Sequence, residues 1–219
     1  DVFSQDIKKT KEFMSGLLGW DSMDISTGEG LPDYTMFTLE GETVAGVSPS
    51  FDPSRPSYWS NYVTVTDLDE MVKKTQELGG TVVMPPMDVL DSGHMATIVD
   101  PTGASLSLWQ PKKHIGASVV NKEGAMCWNE LYTPDIEKAK EFYGNLFGWE
   151  FGTDESNNNY TYIMNNGRSN GGMIELKNFE GMPPHWMVYF TVRDIEKSLE
   201  KVPTLGGVVK MGSKEIGEI

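Results

Sequence analysis

The chain has 219 residues, of which 38% are hydrophobic and 23% are charged, as is ordinary for a globular protein of one or two domains. Its formal net charge of −14 argues against a nucleic acid or an anionic membrane as a partner, because both are negatively charged. The single cysteine, Cys127, excludes a disulfide framework. No apolar run approaches the roughly 18 residues of a membrane span, and no signal peptide is evident, so we expect a cytoplasmic protein.

The first two predicted units each open with a short strand that ends before an aspartate. The apolar pair Val2-Phe3 precedes Asp6, and a strand-like run at residues 62–65 precedes Asp67. Helical spacing of apolar residues follows each aspartate. In the second unit, the glycines at residues 79–80 are expected to end the helix. Strands are then predicted at residues 81–84, 95–99 and 104–109, with a turn at residues 100–103 before the last of them.

The third unit follows a polar stretch, residues 113–124, that predicts a linker. A strand at residues 127–132 is followed by Thr133-Pro134-Asp135, which predicts a helix with Thr133 as its N-cap. Gly148 is expected to end this helix. Its predicted buried stripe consists of Ile136, Ala139, Phe142, Tyr143 and Leu146. Three further strands are predicted at residues 149–151, 160–164 and 172–176, with a tight turn at residues 165–167.

The fourth unit begins with a predicted strand at residues 187–192 that ends before Asp194. Residues 6–13 return as residues 135–142, and residues 62–65 return as residues 189–192. The chain is therefore an internal repeat of four related units of about sixty residues, arranged in two pairs.

Two motifs connect this pattern to a family. Phe-Tyr-Gly-Asn-Leu-Phe-Gly-Trp at residues 142–149 and Asp-Pro-Thr-Gly-Ala at residues 100–104, together with four βαβββ units, resemble the vicinal oxygen chelate superfamily of glyoxalases, bleomycin-resistance proteins and extradiol dioxygenases. The resemblance is to the tandem glyoxalase-like proteins of bacteria. It implies an α+β fold with two tandem domains, each a pair of units that forms a curved, cup-like, mostly antiparallel sheet. The domains would be residues 1–112 and 125–219, joined by the linker, with the second lacking its last strands.

The resemblance also implies where metal ligands would lie. Metal-using members place His, Glu or Gln on the first strand of each unit and on the last strand of the pair. The corresponding positions here are Ser60, Ser107, Trp128 and Met187. None of these side chains is a usual ligand for a first-row metal, so we expect neither a metal nor another cofactor.

Alternation along the strands predicts which side chains line the two cups. The first cup would present Ser60, Tyr62, Thr64, Ser107 and Trp109, and the second Trp128, Glu130, Tyr132, Met187 and Tyr189. Such aromatic and hydroxyl faces suit a flat or amphipathic small molecule, although aromatic residues on strands also fill cores. Glu130, among aromatic residues, is a candidate base with a raised pKa, or else a hydrogen-bonded structural carboxylate. His94 and His185 are expected to be solvated or bonded to turns.

The sequence leaves three functions open. The leading hypothesis is metal-free binding of a small aromatic or amphipathic molecule, as in bleomycin-resistance proteins. The rival is a lyase or dioxygenase that uses an unconventional metal site or Glu130 as the base. A non-catalytic scaffold is the third. We expect a small-molecule ligand as partner, and a monomer through pairing of the two copies or a weak homodimer.

Overall fold

The computed structural model describes residues 1–28, 32–50, 52–154, 160–179 and 181–215. Strand, helix and three strands follow one another repeatedly along the chain, which confirms the predicted α+β class. In chain order the elements are β1 (Val2–Ser4), α1 (Ile7–Leu18), β2 (Asp21–Ile25), β3 (Tyr34–Leu39), β4 (Glu42–Pro49), β5 (Tyr58–Trp59), β6 (Tyr62–Thr64), α2 (Leu68–Glu77), β7 (Thr81–Val89), β8 (Gly93–Val99), β9 (Ser105–Pro111), β10 (Met126–Thr133), α3 (Ile136–Phe147), β11 (Glu150–Asp154), β12 (Tyr160–Asn165), β13 (Arg168–Glu175), β14 (His185–Phe190) and α4 (Ile195–Thr204).

The strands form three sheets among the described residues, and two of them repeat one order. The first runs β2-β3-β4-β1-β5, and its counterpart runs β11-β12-β13-β10-β14. A four-stranded sheet runs β6-β9-β8-β7. In each sheet the first strand of the sixty-residue repeat pairs in parallel with the last strand of that repeat, as β1 does with β4, β6 with β9 and β10 with β13. The hairpin neighbours are antiparallel, so the sheets are mostly antiparallel as predicted.

The four α-helices in the described part of the chain begin in the same way, with an aspartate whose carboxylate accepts a hydrogen bond from the backbone amide three residues later. These N-cap residues are Asp6, Asp67, Asp135 and Asp194. The predicted N-cap Thr133 is therefore wrong: Asp135 caps α3, and the hydroxyl of Thr133 instead accepts from the amide of Asp135. An aspartate carboxylate one residue before the helix accepts a hydrogen bond from a backbone amide that has no other partner in the helix. Its negative charge is also attracted to the positive end of the helix dipole. Gly148 ends α3 in a left-handed conformation, as predicted.

Contacts between residues divide the chain into two compact units, each assembled from separate segments. Unit 1 comprises Asp1–Trp59, Gly116–Cys127 and Tyr189–Ile219, and unit 2 comprises Ser60–Ile115 and Trp128–Val188. The contacts thus group the first repeat with the fourth and the second with the third. The boundaries predicted from the repeat, residues 1–112, 113–124 and 125–219, stay a prediction, and residues 216–219 lie outside the described part of the chain.

Each compact unit has its own hydrophobic core. In unit 1, Trp20 is fully buried and its indole nitrogen donates a hydrogen bond to the carbonyl of Gly124, 2.7 Å away. In unit 2, the predicted stripe of α3 is buried at Ala139, Phe142, Tyr143 and Leu146. The strand residues Leu106, Leu108 and Leu131 join that core. The opposite faces of β9 and β10 therefore carry the side chains that the sequence predicted to line the cups.

Within the described residues, no helix is both long enough and apolar enough to cross a membrane.

Candidate functional site

Strand β10 presents a carboxylate on the face opposite the core of unit 2. Leu131 points into the core and is fully buried. Because side chains alternate along a strand, Trp128, Glu130 and Tyr132 share the other face. Glu130 is itself only 6% exposed, so its carboxylate needs hydrogen-bond partners to offset the loss of water.

Tyr160, on β12, supplies one such partner. Its hydroxyl donates to Oε1 of Glu130 across 2.5 Å, and it accepts a hydrogen bond of 3.0 Å from the indole nitrogen of Trp128. A phenol has one proton, and an indole N–H can only donate, so these two contacts direct the Tyr160 proton to Glu130. The short bond is of the charge-assisted kind that a carboxylate forms with a hydroxyl.

A glycine lets Tyr160 reach Glu130. Strand β13 lies between β12 and β10, and Gly172 of β13 is in register with Glu130 on one side and Tyr162 on the other. The Tyr160 side chain passes over Gly172, where an added Cβ atom would overlap the hydroxyl and the end of the ring. Any residue with a side chain at position 172 would therefore displace Tyr160 from the carboxylate.

The surroundings keep Tyr160 in its neutral form. Burial raises the pKa of Tyr160, and the hydrogen bond to Glu130 and the charge of that carboxylate raise it further. Tyr160 is thus a donor rather than a phenolate base at neutral pH. The ring of Tyr162 makes T-shaped contacts with Tyr160, with centroids 5.0 Å apart, and with Trp128, with centroids 6.4 Å apart. We refer to Trp128, Glu130, Tyr160 and Tyr162 as the Glu130 cluster.

A second aromatic group lies further along β10. Tyr132 stacks on His185 of β14, with ring centroids 4.9 Å apart and planes at 9°, and Phe179 meets Tyr132 edge-on at 5.5 Å. Nδ1 of His185 lies 2.9 Å from the carbonyl of Pro183, so in this contact Nδ1 carries the proton and donates. His185 is therefore bonded to a turn, one of the two arrangements that the sequence predicted. Its ring also extends the aromatic face.

The side chains predicted for the first cup lie on or beside β6 and β9 of unit 2. The hydroxyl oxygens of Ser60 and Ser107 are 3.0 Å apart, and Thr97 lies 3.0 Å from Ser107. The ring of Tyr62 meets Trp109 edge-on. Ser107 is 1% exposed and Trp109 is 8% exposed. Glu130 is buried to a similar degree, so it is the bonding of Ser107 to two neighbouring hydroxyls that favours a packing role for it.

Further contacts hold this group in place. The indole nitrogen of Trp109 donates to the carbonyl of His114 across 2.9 Å. Thr64, in contrast, is exposed. The hydrogen bonds of the group are therefore made largely within β6, β8, β9 and the segment that follows β9, and the Glu130 cluster is the stronger candidate for a functional site.

The remaining predicted residues belong to different compact units. Met187 is half-buried on β14 within unit 2, whereas Tyr189 belongs to unit 1, where its carbonyl accepts from the Cys127 thiol at 3.6 Å. Sequence reasoning missed Tyr160, Tyr162 and Gly172. Tyr160 and Tyr162 lie two residues apart on a predicted strand and therefore share one of its faces, which was a usable signal. The order of the strands along the chain did not show which strands would be their neighbours in the sheet.

The residues at the family's metal-ligand positions do not suit a metal. At the four corresponding positions stand two hydroxyls, an indole and a thioether, and the hydroxyls of Ser60 and Ser107 bond to each other. Divalent first-row ions are held by imidazole, carboxylate or thiolate ligands, so these side chains do not fit such an ion. Across the described ranges of the chain, no three His, Cys, Asp or Glu residues are grouped so that they could hold a metal.

Comparison with known proteins agrees with this fold. The family model described as Glyoxalase/Bleomycin resistance protein/Dioxygenase superfamily matches residues 1–108, and the one described as Bleomycin resistance protein-like N-terminal matches residues 126–163. The "Putative glyoxylase CFP32" of Mycobacterium bovis is 37% identical over 214 residues, which cover 95% of this chain and 82% of that protein. The anthracycline biosynthesis protein DauV of Streptomyces sp. (strain C5) is 32% identical over 227 residues, covering 96% and 82%.

Among solved structures, the Mn(II)-bound glyoxalase from Novosphingobium aromaticivorans aligns with a TM-score of 0.60 over 94% of this chain and 69% of that one. Its sequence identity is 14%, so this likeness concerns the fold alone. The two relatives by sequence are similar over nearly the whole chain, and the motifs, the repeated sheets and the family model agree with them. The chain therefore belongs to the glyoxalase/bleomycin-resistance/dioxygenase superfamily.

Proposed function

We propose that this protein binds a small planar aromatic molecule, without a metal, at the face of β10 that carries the Glu130 cluster. The observation that carries the proposal is the Glu130 carboxylate held 2.5 Å from the Tyr160 hydroxyl among aromatic side chains. Aromatic surfaces with a small number of fixed polar groups are the usual composition of small-molecule sites.

The chemistry of the cluster selects among aromatic ligands. A carboxylate is an acceptor of hydrogen bonds, so a ligand that donates one, such as a phenol or an amine, gains an interaction there. An anionic ligand is disfavoured by Glu130 and by the formal charge of −14. The name of the Streptomyces relative refers to anthracycline biosynthesis, and anthracyclines are planar aromatic compounds, which supports the same ligand class.

Binding is favoured over catalysis by the state of the cluster. Tyr160 stays a neutral phenol, and its proton is already engaged with Glu130. Glu130 acting as a base on a bound substrate is the enzymatic alternative, and it requires that the substrate place its proton within hydrogen-bond distance of the carboxylate.

Calorimetric titration with three naphthalenes tests the proposal. 2-Naphthol donates a hydrogen bond, 2-methoxynaphthalene does not, and 2-naphthoate is an anion. We expect 2-naphthol to bind at least tenfold more tightly than 2-methoxynaphthalene, and 2-naphthoate to bind most weakly. Failure of all three to bind would overturn the proposal, whereas recovery of a chemically altered naphthol after incubation would favour the enzymatic alternative.

A charge-neutralising pair of variants locates the site. Glu130→Gln keeps an oxygen that accepts from Tyr160 but removes the charge, and we expect it to weaken 2-naphthol binding about tenfold, since hydrogen bonds to charged groups are stronger than neutral ones by about 1–2 kcal/mol. Glu150→Gln, at an exposed position on β11 of the same sheet, is the matched control and should bind as the unmodified protein does. Equal binding by Glu130→Gln would exclude the cluster as the site.

We also propose that the chain is a monomer, because its two copies supply internally the pairing that a single copy obtains by dimerising. Sedimentation velocity at micromolar concentration tests this, and a constitutive dimer would contradict it.

A further inference from the structure

The carboxylate–tyrosine–glycine arrangement of the Glu130 cluster is present a second time, in unit 1. The hydroxyl of Tyr34 on β3 donates to Oδ1 of Asp1 across 3.2 Å. A Cβ atom added to Gly46 on β4 would overlap the Tyr34 hydroxyl and would lie 3.0 Å from the same Asp1 oxygen. Tyr34 therefore passes over a glycine to reach a carboxylate, as Tyr160 does.

The strand registers show that these are equivalent positions. Val2 pairs with Val47 in the first sheet as Leu131 pairs with Met173 in its counterpart, which places Asp1 beside Gly46 as Glu130 lies beside Gly172. The antiparallel register agrees, since Met36 faces Gly46 as Tyr162 faces Gly172. Both copies have an acidic residue, a tyrosine and a glycine at these positions, although the strands around them differ in sequence.

An aromatic stack accompanies the arrangement in both copies. Phe3 of β1 stacks on Tyr58 of β5 with centroids 5.2 Å apart and planes at 23°. These positions correspond to Tyr132 and His185, the stack two residues after Glu130 on β10. Each copy thus combines a tyrosine-bound carboxylate with a ring stack on the same face of its first strand.

The first copy adds a positive charge. The guanidinium of Arg55 lies 4.8 Å above the ring of Tyr58. The side-chain amide of Gln5 donates to the carbonyls of Asp52 and Arg55, each across 2.8 Å, and so anchors the backbone that carries Arg55. Guanidinium groups bind carboxylates through paired hydrogen bonds, so Arg55 favours a ligand that carries an anionic group. The Glu130 cluster, in contrast, disfavours an anionic group.

We infer that unit 1 holds a second binding site, formed by Asp1, Tyr34 and the Phe3–Tyr58 stack with Arg55 at its edge, for a planar aromatic molecule that carries both a hydrogen-bond donor and an anionic group. The inference rests on the proposed function, because it takes the carboxylate–tyrosine pair to be a ligand-binding arrangement. The two sites differ in the charge that they accept, and this difference makes them separable by experiment.

The probe is 6-hydroxy-2-naphthoate, titrated by calorimetry into the intact protein. Tyr34→Phe removes the hydroxyl that holds Asp1, and Arg55→Gln removes the exposed cation, and each should weaken binding of this probe about tenfold. Tyr160→Phe should leave its binding unchanged. Lys8→Gln removes a cation from the exposed face of α1 and serves as the charge control.

The outcomes separate this inference from the proposed function. No binding of 6-hydroxy-2-naphthoate, or binding that Tyr34→Phe and Arg55→Gln leave unaltered, overturns the second site. Binding that is lost in Tyr160→Phe instead places the probe at the Glu130 cluster and also overturns it. The proposed function stands or falls on 2-naphthol binding and on its weakening in Glu130→Gln, a substitution that changes unit 2 alone. Arg55 lies on the surface, so Arg55→Gln keeps the test decisive if Tyr34→Phe fails to fold.

Discussion

The Tyr143 hydroxyl donates a hydrogen bond of 2.7 Å to Oδ2 of Asp100 inside unit 2, where both residues are buried. Trp186 donates to the same hydroxyl across 3.0 Å. Oδ1 of Asp100 accepts from the amide and hydroxyl of Thr102 and from the amide of Ala104, which closes the Asp-Pro-Thr-Gly turn. The two motifs that indicated the family, this turn and the end of α3, are therefore joined by one buried network.

Removing the hydroxyl of Tyr143 should destabilise the protein. Tyr143→Phe leaves a carboxylate oxygen and an indole N–H without this partner in the core, and an unsatisfied buried group costs about 1–3 kcal/mol. Urea denaturation followed by circular dichroism measures the free energy of unfolding. Tyr58→Phe, which keeps the ring beneath Arg55, is the control and should change it by less than about 0.5 kcal/mol. Equal stability of the two variants would show that the network contributes nothing.

Two tyrosines should resist ionisation at alkaline pH. Burial, the charge of Asp100 and the hydrogen bond to it raise the pKa of Tyr143, and burial and Glu130 raise that of Tyr160. In the absorbance titration of the folded protein at 295 nm, Tyr143 and Tyr160 should therefore ionise above the ordinary tyrosine value of about 10, and Tyr143→Phe and Tyr160→Phe should each reduce the absorbance change at high pH. Two variants that titrate as the unmodified protein does, while still folded, would contradict this.

The same shifts make stability fall at high pH. Tyr143 and Tyr160 each have a higher pKa in the folded state than in the unfolded state. Once the pH exceeds about 10, the folded state therefore holds more protons than the unfolded state does. Their stabilising contribution is complete below that pH and is lost as the pH rises toward the folded-state values. Urea midpoints between pH 8 and pH 11 should decrease above pH 10, and less steeply in Tyr143→Phe. A midpoint that stays constant over this range would contradict the shifts.

Much of the fold could be predicted because its signals are local. Asp6, Asp67, Asp135 and Asp194 each mark a helix start, and all four are observed as caps. The miss at Thr133 has a local cause as well, since Thr and Asp both favour N-cap positions and only the geometry decides between them. The repeat then predicted the succession of one strand, one helix and three strands along the chain.

The partners within the site could not be predicted in the same way. Glu130 was identified from alternation along one strand, but Tyr160 lies two strands away in its sheet and reaches it only because Gly172 stands between them. Such a relation depends on sheet register, which periodicity does not specify. The grouping of separate segments into compact units is likewise a matter of tertiary contacts.

The residues at the family's ligand positions predict that the purified protein holds no stoichiometric divalent ion. Ser60 and Ser107 are neutral hydroxyls that bond to each other, and Trp128 engages Tyr160 through its only polar atom. Elemental analysis after exhaustive dialysis measures zinc, iron, nickel and manganese. A metal retained at about one equivalent per chain would contradict the expectation, and a Glu130→Gln variant that lost it would place an unconventional site in the Glu130 cluster.

The position of Tyr160 can be altered without changing any functional group. Gly172→Ala introduces one methyl group that overlaps the Tyr160 hydroxyl, which sits at the far end of a side chain and can swing away. We expect the bond to Glu130 to break and 2-naphthol affinity to fall at least tenfold. The free energy of unfolding should fall by about 1–3 kcal/mol, the cost of a buried carboxylate that loses a donor. Calorimetric titration and urea denaturation measure the two effects.

Gly152→Ala is the matched control, because a Cβ atom at position 152 of β11 meets only the terminal methyl of Met164, at an ordinary contact distance of 3.7 Å. It makes the same chemical change in the same sheet and should preserve both stability and binding. Tyr160→Phe should reproduce the loss of affinity in Gly172→Ala, and combining the two substitutions should add little, since both break one hydrogen bond. If Gly172→Ala binds 2-naphthol as tightly as the unmodified protein does, the placement of Tyr160 over the glycine has no part in ligand recognition.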